Sequence, residues 1–168
     1  MKINSVMRWA LAFTSLLLSA KSVAAVPSKL AVFPEGERLV YARLVEAFRG
    51  NKLAEITKQR QILERNYPRS VHLDNAYYLT GMLELQNNRV GEALKTFDVV
   101  KDKFVKSNKR PAALFATGSA YQKLNLPALA QRVFERVIKE YPGSPEAERA
   151  EMQLRVSKIM TTKNSIKK

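Results

Sequence analysis

The stretch PAALFATGSAYQKLNLPALAQRVFERVIKEYP, residues 111–142, decides the fold of this chain. Apolar residues recur at helical spacing on both sides of Asn125-Leu126-Pro127, which predicts two amphipathic helices joined by a tight turn. Small residues stand where the two helices would cross, and large residues stand where they would fill the space toward a neighbour. These fixed positions are Leu114, Gly118, Tyr121, Ala130, Phe134 and Pro142. One such pair cannot bury its apolar face alone, so we expect neighbouring pairs.

The fixed positions recur along the chain at a step of 37 residues. One step back, Gly118 and Phe134 fall on Gly81 and Phe97, and two steps back Tyr141-Pro142 falls on Tyr67-Pro68. The other matches join Ala130 with Ala93, Val137 with Val100, Asn125 with Asn88 and Asn51, and Ser144 with Ser107 and Ser70. Three units at one pitch predict a repeat protein; an ordinary helical bundle with accidental self-similarity is the alternative.

This spacing resembles the tetratricopeptide repeat, W-x2-L-G-x2-Y…A-x3-F…P, with Leu114 in the Trp place and Thr117 in the Leu place. The resemblance implies an all-α fold: a right-handed superhelix of three helix-turn-helix repeats and a C-terminal capping helix. The first repeat is the most degenerate, as terminal repeats often are. It has Leu44, Ile56 and Arg60 where Gly, Ala and Phe are expected.

The segments Tyr67-Pro68 and Tyr141-Pro142-Gly143-Ser144-Pro145 are similar to the repeat ends of the periplasmic tetratricopeptide domain of the Tol-Pal accessory protein. The helical lipoprotein of the outer-membrane β-barrel assembly complex is similar in the same way, more distantly. The resemblance covers about Arg38 to Met160 and implies a soluble cell-envelope adaptor. The sequence departs from both proteins, because it has neither an N-terminal trimerising coiled coil nor a cysteine that could carry a lipid.

The pitch and the flanking composition predict the organisation of the chain. The predicted segments are a signal peptide at 1–25, a lead-in at 26–37, repeats at about 38–70, 73–107 and 111–144, a capping helix at 145–160 and a basic tail at 161–168. The signal peptide rests on the basic residues Lys2 and Arg8, the apolar run Trp9–Ala20 and the small residues up to Ala25, after which we expect cleavage. An uncleaved anchor is the alternative, although the run is shorter than the about 20 residues of a membrane span. No other stretch is apolar enough to cross a bilayer.

Composition limits the chemistry and the compartment. Cysteine is absent, which excludes disulfides, thiol catalysis and thiolate metal sites. An exported helical repeat without disulfides favours a bacterial periplasm. Among the 168 residues there is one histidine, His72, and neither a catalytic motif nor a metal-ligand spacing is present. We therefore expect a protein that is not an enzyme and that binds no cofactor or metal.

The chain is strongly basic, with 29 Lys and Arg against 15 Asp and Glu. Without Lys2, Arg8 and Lys21 of the signal peptide, 26 basic residues remain against the same 15, a net charge of +11. Such a charge attracts anionic partners, and the export signal argues against nucleic acid. The densest basic surface is Lys101, Lys103, Lys106, Lys109 and Arg110. Charge that serves only solubility is the alternative.

An aromatic ladder, Tyr41, Tyr78 and Phe115, stands at successive 37-residue steps on the first helix of each unit. In the tetratricopeptide fold that helix lines the concave face, so these residues resemble groove-facing ones. The rest of this predicted partner-binding groove is Val45, Met82 and Ser119, followed by Phe48, Leu85 and Gln122. Aromatic and Met side chains suit the docking of an extended segment or a helix. Cover by residues 26–34, by the C-terminal helix or by a second copy is the alternative.

These observations favour a non-enzymatic periplasmic scaffold that binds a segment of another envelope protein, in cell-envelope organisation or outer-membrane assembly. A second hypothesis is a binder of anionic envelope polymers, peptidoglycan or lipopolysaccharide, through the basic surface. A third is a structural subunit of a secretion or pilus assembly, with the ladder as a permanent interface.

Overall fold

The computed structural model describes residues 36–166, with side chains to Ile159. Within these residues the chain folds into helices connected by short turns, and the prediction of an all-α repeat fold is confirmed. The helices are α1 (Glu37–Arg49), α2 (Leu53–Asn66), α3 (Leu73–Gln86), α4 (Val90–Lys103), α5 (Arg110–Lys123), α6 (Pro127–Glu140) and α7 (Pro145–Ile166). Glu35–Lys168 is one compact unit. The predicted signal peptide and nearly all of the lead-in lie outside the described residues.

Each helical pair turns on an asparagine with a left-handed backbone. Asn51, Asn88 and Asn125 have φ of 52°, 60° and 56°, a region that asparagine tolerates better than most side chains. The residue after each asparagine donates its N–H to the carbonyl five residues earlier, at 2.8, 2.8 and 2.9 Å, which satisfies an end carbonyl of the first helix. The turn geometry is therefore the same in all three pairs.

The crossing is closest at the repeated glycines. A Cβ atom placed on Gly81 would lie 2.6 Å from Cε1 of Phe97, and one on Gly118 would lie 2.5 Å from Cε1 of Phe134. The rings therefore pack on the bare backbone of the preceding helix. In the first pair, Arg60 stands in the phenylalanine place, and its guanidinium lies 4.6 Å from the centroid of the Tyr77 ring.

Consecutive helices pack on each other throughout residues 36–166. The odd-numbered helices also touch one another, α1 with α3, α3 with α5 and α5 with α7, whereas α2 makes no contact with α4, nor α4 with α6, in this part of the chain. The odd-numbered helices are thus the more closely spaced set and line the inner side of the superhelical stack. Its core includes the buried side chains of Leu44, Leu83 and Phe97.

Side-chain hydrogen bonds tie the connection that follows each of the first two helical pairs back to the first helix of the same pair. The Ser70 hydroxyl donates to the Glu37 carboxylate at 2.6 Å, and the Ser107 hydroxyl donates to the Asp74 carboxylate at 2.5 Å. The third serine of this series is Ser144, which is 37 residues after Ser107. The position 37 residues after Asp74 is Pro111, which has no carboxylate to accept a hydrogen bond. The Ser144 hydroxyl oxygen accepts the N–H of Ala147 at 3.1 Å instead. The same serine position therefore makes this tie twice and caps a helix the third time.

Helix α7 closes the stack and continues beyond it. Ala147 and Ala150 are buried against the body, whereas every residue from Arg155 to Ile159 is exposed. The helix runs to Ile166, past the predicted end at residue 160 and into the segment predicted as a tail. No helix among residues 36–166 has both the length and the apolar character needed to cross a bilayer.

Candidate docking cleft

Five of the nine predicted groove residues meet in one cleft between α3 and α5. The cleft has a volume of about 90 Å³. Its lining is Tyr78, Met82 and Leu85 from α3, Ala112, Phe115, Ala116 and Ser119 from α5, and Arg149 from α7. The floor is apolar and aromatic, and the hydroxyl groups of Tyr78 and Ser119 and the Arg149 guanidinium are its polar side-chain groups.

The two aromatic rings of the cleft are held from behind by the repeat core. The Phe115 ring centroid lies 5.4 Å from that of Phe134, and the Tyr78 ring centroid lies 6.4 Å from that of Phe97, both in tilted contacts. The same Phe97 and Phe134 rings pack on Gly81 and Gly118. The helix-crossing geometry therefore also fixes the orientation of the cleft rings.

Arg149 places one positive charge at the edge of the cleft. Its guanidinium carbon lies 4.8 Å from the Phe115 ring centroid. One terminal nitrogen pairs with the Glu146 carboxylate at 2.7 Å, and Nε donates to the Pro145 carbonyl at 3.3 Å. Burial raises the pKa of the Tyr78 hydroxyl, with nearby Arg149 acting to lower that pKa and Glu146 to raise it. The phenol therefore stays protonated near neutral pH and is available as a hydrogen-bond donor.

The remaining predicted groove residues lie outside this cleft. The Tyr41 ring stacks on His72 at 4.2 Å, and its hydroxyl accepts a hydrogen bond from the Asn75 side-chain amide. Val45 and Phe48 are half-buried on the same helix as Tyr41. Gln122 donates to Gln153 of α7 at 3.2 Å, so α7 occupies that end of the predicted groove.

Three lining residues, Ala112, Ala116 and Arg149, were not among the predicted groove residues. A signal for Arg149 was present, because it stands one 37-residue step after Ala112, which also lines the cleft. The predicted groove ends at the third repeat, whereas the cleft extends to α7 through Arg149.

Some of the basic residues of the predicted basic surface are engaged in contacts within the protein, and others are exposed. Lys101 pairs with Asp98 at 2.6 Å, and Arg110 contacts the Lys101 carbonyl at 3.0 Å and the Glu140 carboxylate at 3.3 Å. Lys103 and Lys106 are exposed. They line a second, larger cleft of about 340 Å³ together with Ser70, Val71, Asp74, Phe104, Val105 and Ser107. The charge available there is smaller than the five basic residues of the sequence suggest.

The described residues contain no group of three or more His, Cys, Asp or Glu side chains arranged to hold a metal ion. His72, the one histidine of the sequence, stacks on Tyr41. The absence of catalysis and of a cofactor remains an expectation from the sequence.

Comparison with known families supports the architecture. Residues 112–144, almost the stretch from which the fold was predicted, match the family model of the tetratricopeptide repeat. The chain has the fold of a tetratricopeptide-repeat protein. No curated protein matches it. Repeats of this class generally mediate protein–protein interactions and are typically non-enzymatic scaffolds, which makes the cleft on the inner helices the leading candidate for a protein-binding site.

Proposed function

We propose that this tetratricopeptide-repeat protein is a non-enzymatic periplasmic adaptor that binds a segment of another cell-envelope protein. The cleft formed by Tyr78, Met82, Phe115 and Ser119 carries the proposal, because it joins two successive repeats on the inner side of the stack. The signal peptide predicted at residues 1–25 and the resemblance of the repeat ends to those of the Tol-Pal accessory domain are the basis for proposing a role in envelope organisation or outer-membrane assembly.

The chemistry of the cleft suggests what the bound segment contains. A cavity of about 150 Å³ lined by apolar side chains can hold a benzene ring, so about 90 Å³ suits one small apolar side chain. Arg149 stands at the edge, where a carboxylate of the partner could displace or share its contact with Glu146. An apolar anchor residue with an acidic residue close to it is therefore the expected motif.

A capture experiment tests the proposal. Val26–Lys168 is immobilised as wild type, as Met82→Arg and as Val71→Arg, and it is exposed to solubilised bacterial envelope at low and high salt. Met82→Arg puts a charge into the cleft floor. Val71→Arg adds the same charge at a side chain that is 81% exposed in the connection before α3 and that lines the larger cleft and not this one, so it serves as the control for the added charge.

Proteins kept at high salt by wild type and by Val71→Arg, but lost with Met82→Arg, would support an adaptor and identify its client. Capture that is equal for all three variants at high salt would refute the cleft as the binding site. Matching thermal melts for the three proteins would show that Met82→Arg acts on binding and not on folding.

A second candidate function is binding of an anionic envelope polymer, favoured by the exposed Lys103 and Lys106 at the edge of the larger cleft. Exposed charges are screened within about 10 Å at 0.1 M salt. Retention of peptidoglycan or lipopolysaccharide that disappears with added salt, ignores Met82→Arg and is lost with Lys103→Glu/Lys106→Glu would favour this function over the adaptor.

A further inference from the structure

Helix α7 carries an exposed apolar stripe that the cleft does not use. Met152, Val156 and Ile159 are 62%, 44% and 66% exposed, and their spacing places them on one side of the helix. The stripe is opposite the buried residues Ala147 and Ala150, so the body of the protein does not cover it. Three large apolar side chains on one helix face are an unusual exposure for a protein that stays alone in solution.

The 37-residue repeat shows that this stripe is not the face of α7 on which the second helix of a further repeat would pack. Within α5, Leu114 and Gly118 form part of the contact with α6, and one step further on these positions are Glu151 and Arg155. Both are exposed, and they form an ion pair at 3.4 Å. A charged, solvated surface there ends the stack of repeats. The apolar stripe instead continues the ladder positions, since Met152 stands one step after Phe115.

The outer part of α7 borders α6 on one side, where Ser157 and Lys158 line a cleft together with Gln131 and Glu135, and its opposite side carries the uncovered stripe. All side chains from Arg155 to Ile159 are exposed, yet the helix continues to Ile166. Helical hydrogen bonding alone is marginal in water, and most helical stability in proteins comes from packing of an apolar face. A surface that packs on the stripe would supply this stabilisation.

Charge is distributed unevenly along α7 in a way that suits a second copy of the same helix. The first part, residues 145–151, has three glutamates and one arginine, whereas residues 152–166 have basic residues and no acidic ones. In an antiparallel pair of identical helices, the acidic part of each lies beside the basic part of the other. Parallel pairing would place like charges together.

We propose that the stripe on α7 is an interface for a second copy of this chain, with the two α7 helices packed antiparallel about a two-fold axis between residues 155 and 156. This axis places Met152 opposite Ile159 of the second copy. It also places Glu148 beside position 163 of the second copy, which is a lysine in the sequence. Residues 148–163 span about 22 Å of helix, so the interface is small and a Kd in the micromolar range or weaker is expected.

Sedimentation equilibrium of the purified chain from about 1 µM to about 1 mM tests the proposal. The wild type is expected to shift from monomer to dimer with concentration. Val156→Glu is expected to weaken the dimer by about tenfold or more, because it puts two like charges next to the axis. Val71→Glu makes the same change at an exposed position far along the sequence and should leave the Kd unchanged.

A charge exchange tests the antiparallel register. Glu148→Lys and Lys163→Glu should each weaken the dimer, and the double variant should recover most of the wild-type Kd, because each pair then again joins opposite charges. A mere effect on helix stability would not be reversed in this way. An unchanged monomer fraction across the whole concentration range would overturn the proposal. So would a dimer that is indifferent to Val156→Glu, or one that the double exchange fails to restore.

Discussion

Replacing Gly118 by alanine is the sharpest test of the repeat geometry. The new Cβ atom would lie 2.5 Å from Cε1 of Phe134 and 2.9 Å from both Cδ1 and Cζ, closer than non-bonded carbon atoms approach. Phe134 is 1% exposed, and its ring is in tilted contact with Phe115 on another side. Because the ring is buried and packed against Phe115, we expect α5 and α6 to separate to accept one methyl group.

The expected cost follows from two opposing effects. Overpacking of a filled core costs about 1–3 kcal/mol. The higher helix propensity of alanine returns about 1 kcal/mol in a helix interior. A contact of 2.5 Å with a buried ring belongs to the upper part of this range, about 2–3 kcal/mol. After the return from helix propensity, we expect Gly118→Ala to lower the free energy of unfolding by about 1–2 kcal/mol, which corresponds to a fall in Tm of roughly 2–8 °C for a chain of this size.

Gly91→Ala provides a matched control for this prediction. Gly91 also lies in a helix, α4, but a Cβ atom there has nothing within 4 Å. The same chemical change should be neutral or stabilising by as much as about 1 kcal/mol. Both variants and the wild type are compared by thermal and urea unfolding followed by circular dichroism.

A second variant isolates the clash from other effects of the new methyl group. Phe134→Leu removes the ring that the methyl group would strike, so in the double variant Gly118→Ala should cost less than it does alone, with a coupling of about 0.5–3 kcal/mol. A Tm for Gly118→Ala equal to or above that of wild type would refute the reasoning. Additive effects of the two substitutions would refute it as well.

Three further predictions concern the turns, the core and the repeat junctions. Asn88→Gly should keep wild-type stability, whereas Asn88→Val should lose about 1–2 kcal/mol in urea unfolding, because φ at this turn is 60°. Burial raises the pKa of the Glu84 carboxyl in the folded protein. The free energy of unfolding of the wild type should therefore fall as the pH rises from the ordinary pKa of a glutamate in the unfolded chain through this raised pKa. The Glu84→Gln variant should therefore gain on wild type at about pH 7 but not at about pH 4, in urea midpoints measured at both values. Ser107→Ala removes the hydrogen bond to Asp74 and should lower the urea-unfolding free energy by about 1 kcal/mol.

The sequence was sufficient for the fold because its strongest signals are local and repeated. Gly118 with Phe134 and Gly81 with Phe97 predicted close helix crossings at one pitch, and the structure has a ring on a bare backbone at both places. The asparagine turns followed from the same periodicity. The extent of α7 was less predictable, since its outer part has few apolar residues to define an end.

The candidate cleft was predicted only in part. The 37-residue pitch correctly predicted that Tyr78 and Phe115 lie side by side. It also predicted that Tyr41 belongs to the same groove, whereas the Tyr41 ring stacks on His72 in the structure. The positions of long charged side chains cannot be predicted from spacing alone. Arg149 lies over Phe115, and Arg110 contacts Glu140. Both contacts join residues about 30 positions apart, so they depend on how the helices pack and not on the local spacing.

The serine hydrogen bonds that follow the first two helical pairs have a consequence for how the protein opens. Ser70 and Ser107 each tie the connection before the next helical pair to the acidic residue at the start of the preceding pair, whereas Pro111 leaves Ser144 without such a bond. The junction before α7 is thus secured by packing on Ala147 and Ala150 without this polar tie. Amide hydrogen exchange should consequently be graded along the chain, fastest in α7 and slower toward α3 and α4, so that opening begins at one defined end.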